Sequence, residues 1–211
     1  MKTILFDLDG TLIDSTQSIL GGFETAYRTF HRPTPKADEI TRLIGYPLDI
    51  MFSKLGIQST EVWQYVQAYK EHYRVISKEQ TTLLPFAKEA IEHAFTFANL
   101  GVVTTKTAHY SQDLLEHFGV MDYFKVLIGR ESITHPKPHP EPILKALSTL
   151  NANPENTWMI GDTKLDLIAA KQANVHGVGV LCGYGHCDEL MQYTSLVCAN
   201  AKEAVAMIAL N

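Results

Sequence analysis

The sequence predicts an α/β fold: a doubly wound, Rossmann-like parallel sheet with a small all-helical unit inserted after its first strand. Three observations predict it. An apolar run at the N-terminus, Ile4-Leu5-Phe6, ends in Asp7-Leu8-Asp9-Gly10-Thr11-Leu12, and open α/β sheets gather ligand groups at the carboxyl ends of their strands. From about residue 82 onward, strand-length apolar runs alternate with helical periods, as parallel strands joined by right-handed crossovers require. Between these regions the periodicity is helical, and residues 14 to 80 contain no convincing strand.

Taken in order, the first strand is followed by Ile19, Leu20, Phe23, Ala26, Tyr27 and Phe30 at helical spacing. The breaker-rich stretch Arg32-Pro33-Thr34-Pro35 ends that helix, and shorter helices are expected around 36–44 and 48–55. Val62, Val66, Tyr69, Tyr73 and Ile76 mark a fourth. The aromatics of that segment, Trp63, Tyr65, Tyr69 and Tyr73, read as interior of the helical unit rather than as a ligand cage. Pro85 suits the first turn of a helix running to about Ala94. Leu100 to Thr104 is a strand candidate, and the next helix places Leu114, Leu115 and Phe118 on one face with Gly119 at its C-terminal end. Strands are then expected at Phe124 to Ile128, Trp158 to Ile160, Val178 to Leu181 and Leu196 to Cys198. Helices are expected at Glu141 to Leu150, about 165–173 and 201–210. The core would be residues 1–14 and 82–211, and the helical insert residues 15–81.

The chain has 211 residues, 45% of them hydrophobic, and a formal charge of −5. An acidic balance argues against a nucleic-acid partner, which favours a basic surface. No apolar stretch is long enough to span a bilayer, no signal peptide is visible, and three cysteines suit free thiols in a reducing compartment. The expectation is a cytoplasmic protein with a small-molecule ligand and no membrane or nucleic-acid partner, as a monomer or dimer.

Chemistry-bearing groups recur where strands end. Two adjacent acids, Asp7 and Asp9, raise each other's pKa, which a fold tolerates when a cation lies between them or one keeps its proton. Thr104-Thr105-Lys106-Thr107 follows an apolar strand, with backbone N–H groups at a helix start, where an anion is favoured. Lys137 lies in His135-Pro136-Lys137-Pro138-His139-Pro140, a run whose prolines stiffen the loop. Asp162 and Asp166, four apart across a strand-to-helix turn, fall near one face and suit a hard cation such as Mg²⁺. His135 and His139 read as loop structure. The Cys182/His186/Cys187 group lacks the second cysteine pair of a zinc site.

These four segments, in this order, resemble the haloacid dehalogenase (HAD) superfamily over essentially the whole chain. The resemblance implies a Mg²⁺-dependent phosphatase of the phosphoglycolate phosphatase or pyrophosphatase type with a helical cap. It implies Asp7 as nucleophile and Asp9 as general acid/base, with Asp9 also a metal ligand through its backbone carbonyl. Asp7 and Asp162 would be direct carboxylate ligands of the metal, and Asp166 a supporting or alternative one. Thr104, Thr105, Lys106 and Lys137 would bind phosphate. In the cap, Arg42, Gly45 and Tyr46 would govern substrate choice, Arg42 by meeting a second anionic group. A β-phosphoglucomutase-like phosphomutase shares all four motifs. A non-catalytic binding protein on the same fold is the remaining alternative, and the intact acidic set argues against it.

Overall fold

Strands apolar along their whole length need cover on both faces, and the core segments are built that way. The computed structural model describes residues 1–210. Its strands are β1 (Lys2–Phe6), β2 (Ile13–Asp14), β3 (Thr82–Leu83), β4 (Ala98–Val103), β5 (Phe124–Ile128), β6 (Thr157–Gly161), β7 (His176–Val180) and β8 (Val197–Cys198). Its α-helices are α1 (Thr16–Thr29), α2 (Ala37–Thr41), α3 (Leu48–Lys54), α4 (Val62–Ile76), α5 (Ala87–Phe95), α6 (Ala108–His117), α7 (Glu141–Leu150), α8 (Lys164–Gln172), α9 (Cys187–Leu190) and α10 (Ala201–Leu210). The chain divides into two units, Met1–Asp14 with Leu83–Asn211, and Ser15–Thr82.

In the first unit six strands form one parallel sheet in the order β5-β4-β1-β6-β7-β8. Alternation along β1 sends Ile4 and Phe6 to one face, against Ile91 of α5, Leu115 of α6 and Val205 of α10. Leu5 goes to the other, against Ile143 of α7 and Ala170 of α8. All three β1 side chains are fully buried, and each such burial is worth about 1.5–3 kcal/mol. Short β2 and β3 pair as a separate ribbon where the chain leaves this unit and returns to it.

In the second unit α1 packs along α4. Gly22 lies against the ring of Tyr69, where a Cβ would overlap it. Phe23 and Phe52 rings meet with centroids 4.5 Å apart, and Tyr69 stacks on Tyr73 at 5.4 Å. Such pairs add about 0.5–1.5 kcal/mol each.

Several local expectations are corrected. Trp63 is 65% exposed: Tyr65, Tyr69 and Tyr73 share one helical face at spacing four, and a residue two positions away points elsewhere. Pro85 precedes the N-cap, Phe86, instead of entering the first turn, because Phe86 takes a left-handed conformation at φ 67°. Strand β4 starts at Ala98 and β7 at His176 because parallel pairing with β1 and β6 extends them beyond their apolar runs. Thr104 falls just outside β4, although its N–H still donates to Ile128 O at 2.9 Å. Helix α2 stops at Thr41, and single turns carry the chain to Gly45 at φ 107°.

Candidate active site

The sheet order sets the location. Strand β1 leads onward to β4 on one side and its neighbour β6 leads to β7 on the other, so a crevice opens between their carboxyl ends. Asp7 follows β1, its N–H donating to Ile160 O at 2.8 Å, and Asp162 follows Gly161 at the end of β6. Gly10 stands at φ 82°, and a Cβ there would overlap the Asp162 carboxylate. That is the physical reason for a glycine after Asp9.

Lys137 reaches the same crevice from its loop and is 2% exposed. Its ammonium donates to Asp7 Oδ1 at 2.8 Å, Asp166 Oδ1 at 2.5 Å and Val103 O at 3.0 Å. An ammonium has three donors, so all are engaged, and an arriving phosphoryl oxygen would have to share one. Burial alone would push this ammonium down. The carboxylates of Asp166 and Asp7 outweigh it and hold the pKa above the ordinary lysine range.

Asp166 is fully buried, and its other oxygen accepts from Thr163 N–H at 3.1 Å and Thr163 Oγ1 at 2.7 Å. Asp162 Oδ1 accepts from Thr11 Oγ1 at 3.0 Å, and Oδ2 from Tyr184 N–H at 2.8 Å. One carboxylate oxygen from each of Asp7, Asp162 and Asp166 lies within 4.8 Å of the others, a spacing able to hold a metal ion. Burial, and then the charge of Asp166, raise the Asp7 carboxyl to about 7 against the pull of Lys137. Burial, Asp7 and Asp166 push Asp162 well above the carboxylate range. Three clustered acids with one ammonium, which meets only Asp7 and Asp166, are under-compensated, and a hard, oxygen-preferring divalent cation fits that donor set.

Asp9 stands apart from this cluster. Asp9 pairs with Ile13 in a tight turn, and its Oδ2 meets Lys106 Nζ at 3.2 Å. Strand alternation does not set its direction, because β1 stops at Phe6. Its side chain is therefore not among the three converging carboxylates. Thr104 is buried, and its hydroxyl oxygen accepts from Lys106 N–H at 3.1 Å, so its own proton remains available to donate. Thr105 and Lys106 lie on the turn leading to α6, with Thr107 its N-cap.

In the helical unit, Arg42 is exposed and its Nε donates to Asp38 O at 3.0 Å. Lys54 Nζ sits 4.9 Å above the Tyr46 ring. Cys182 Sγ lies 3.4 Å from Gly10 O, and burial raises its thiol to about 11.

Sequence reasoning missed Thr11, Thr163 and Tyr184 as supports of the acids. Thr163-x-x-Asp166 is a readable capping-box pattern. Thr11 and Asp162 are 151 residues apart, and no local pattern reports such a contact.

The haloacid dehalogenase-like hydrolase family model matches residues 4–180. The chain is 34% identical over 181 residues to "Pyrophosphatase PpaX" of Oceanobacillus iheyensis, covering 85% of this chain and 83% of that protein. It is 35% identical over 196 residues to "Probable phosphatase IndB" of Dickeya dadantii, covering 89% and 84%. A haloacid dehalogenase-like family hydrolase from Streptococcus pneumoniae superposes with a TM-score of 0.88 at 27% identity, over 98% of both chains. No helix among the described residues is long and apolar enough to cross a membrane.

Proposed function

The chain belongs to the haloacid dehalogenase-like hydrolase family, and from that premise we propose that it is a Mg²⁺-dependent phosphatase acting on a small phosphoester through an aspartyl-phosphate on Asp7. One observation carries the reading. Three buried carboxylates converge at the switch point of the sheet, two of them, Asp7 and Asp166, on one buried ammonium, while a separate acid, Asp9, stands two residues from the first.

A carboxylate oxygen of Asp7 attacks phosphorus, and the bond to the leaving oxygen breaks as Asp9 delivers its proton there. Water then attacks the aspartyl-phosphate and gives its proton to Asp9. Orthophosphate leaves and the Asp7 carboxylate is restored. Lys137 keeps Asp7 in place and offsets charge through both steps. Thr104 Oγ1 and the N–H groups of Thr105 and Thr107 serve the transferring oxygens, the Lys106 N–H between them being held by Thr104 Oγ1. Lys106 bridges the two duties, holding Asp9 now and reaching phosphate when it arrives. Asp7 and Asp162 would hold Mg²⁺, with the Asp9 carbonyl, while Asp166 positions Lys137 and Thr163 behind them. Bound there, Mg²⁺ supplies positive charge for the phosphoryl oxygens. Substrate choice is assigned to the helical cap, with Arg42, Gly45 and Tyr46 as its determinants.

A second reading, inorganic pyrophosphatase, is favoured by the relatives named pyrophosphatase PpaX. Phosphate release from phosphoglycolate, pyrophosphate, sugar phosphates and p-nitrophenyl phosphate decides between them. Release should require Mg²⁺, stop with EDTA, and vanish in Asp7→Asn. Conversion of a sugar phosphate to its isomer without release would replace the phosphatase reading with a mutase.

A further inference from the structure

The loop from Thr134 to Pro140 must carry an ammonium out of water and into the acidic cluster, yet it lies on the surface and has few backbone bonds to hold it. Four of the nine residues from 134 to 142 are prolines, which offer no N–H. We infer that Glu141 is a positioning residue for Lys137, its carboxylate clasping the loop on which the lysine is mounted.

The geometry is specific. Glu141 Oε1 accepts from Thr134 N–H at 2.7 Å and Oε2 from His135 N–H at 2.8 Å. On the far side of Lys137, the Glu141 N–H donates to His139 Nδ1 at 3.1 Å, and His139 N–H donates to Pro136 O at 3.0 Å. Both flanks of the lysine are thus tied to one residue. That residue opens α7, which is anchored in the core by Ile143 and Leu147. An acid in the first turn of a helix also sits at the favourable end of its dipole. The backbone bonds from Thr134 and His135 hold the Glu141 carboxyl down at about 2, so the clasp stays ionised at any working pH.

His135, His139 and Glu141 are also close enough to suggest a metal site. The bonding argues against it. His139 Nδ1 has given its lone pair to the Glu141 N–H, which leaves the proton of a neutral ring on Nε2. Both Glu141 oxygens hold backbone N–H groups and Oε2 also meets His135 Nδ1 at 2.8 Å, so a metal would compete with His135 Nδ1 and His139 Nδ1 bonds already made within the loop.

The test is acylation of the full-length protein, free of substrate and metal, by a water-soluble amine reagent, with each lysine followed by peptide mass spectrometry. The readout needs no turnover. The inference rests on the proposed function only for the value of a fixed Lys137, so a failed phosphatase assay and a failed clasp are separate results. In Glu141→Ala the Lys137 rate should rise about tenfold or more, the low end for losing charge-assisted hydrogen bonds. Lys106, half-buried in a different loop, should keep its wild-type rate. Glu141→Gln, which keeps one acceptor, should fall between and serves if the alanine variant does not fold. His135→Ala loses the ring contact to Glu141 Oε2 at 2.8 Å but keeps both backbone N–H bonds of the clasp, and should leave Lys137 protected. In Glu141→Ala kcat should drop with KM little changed. Continued protection of Lys137 would overturn the inference, as would equal loosening of Lys106. Stoichiometric Zn²⁺ binding that His135→Ala abolishes would overturn it in favour of a metal site.

Discussion

The two units of this chain bury different things. In the core, the interior at the carboxyl edge of the sheet is polar: Asp7, Thr104, Lys137, Asp162 and Asp166 are all buried, and each has named partners. In the helical unit, the interior is aromatic, with Phe23, Tyr27, Phe52, Tyr65, Tyr69 and Tyr73 packed ring against ring. Its one orphan is the Tyr65 hydroxyl, buried without a hydrogen-bond partner. The contrast teaches where sequence is held by chemistry and where by volume. Buried charges are stable only as a complete set, so each core group fails if its partner goes. Aromatic packing tolerates exchange that keeps shape.

The contrast can be broken most severely at the nucleophile. Asp7→Asn should lower kcat by at least about 10⁴-fold, the scale of removing one member of a covalent catalytic set, measured as phosphate release on the best panel substrate. Lys137→Ala comes next, because it leaves Asp7 and Asp166 buried without their cation. It should cost about 3–5 kcal/mol in chemical denaturation with EDTA present, and a loss below 1 kcal/mol would contradict the burial argument.

The acids also make a pH prediction. The Asp7 carboxyl is raised in the folded state to about 7 from an ordinary 3.8. The folded protein therefore binds more protons in that window, and the Asp7 contribution to stability falls as pH rises from about 4 to 7. Thermal midpoints of metal-free protein should decline over that range relative to protein with Mg²⁺. Parallel curves would show that no cation meets these acids.

The helical unit gives the smaller effects. Arg42→Ala should raise KM about tenfold, the low end for one charged hydrogen bond, for substrates with a second anionic group. It should leave singly anionic substrates unaffected. Tyr65→Phe removes a hydroxyl with no partner, so stability should hold or rise slightly in denaturant titration. A loss above 1 kcal/mol would mean that the hydroxyl is paired in solution.

Much of the core was legible because its signals are local. Alternating strands and helices, an Asp-x-Asp-Gly-Thr turn and a proline-framed lysine each lie within a few residues, and parallel topology then brings their ends together. The direction of Asp9 was not legible, since the strand ends before it and a turn sets its side chain. Nor was the engagement of every Lys137 donor, which includes a carbonyl 34 residues away. The exposure of Trp63 was readable from helical geometry, though not from residue type. The clasp by Glu141 was hidden because a first-turn glutamate reads as ordinary capping until its carboxylate is seen to hold two N–H groups upstream.

In the proposed reaction Asp7 becomes covalently phosphorylated. Acid quenching during turnover of the best substrate with Mg²⁺, followed by peptide mass spectrometry, tests it directly. One added phosphoryl group is expected on the peptide containing Asp7, discharged by neutral hydroxylamine and absent in Asp7→Asn. Sustained phosphate release with that peptide unmodified at every quench time, and with Asp7→Asn still active, would contradict it.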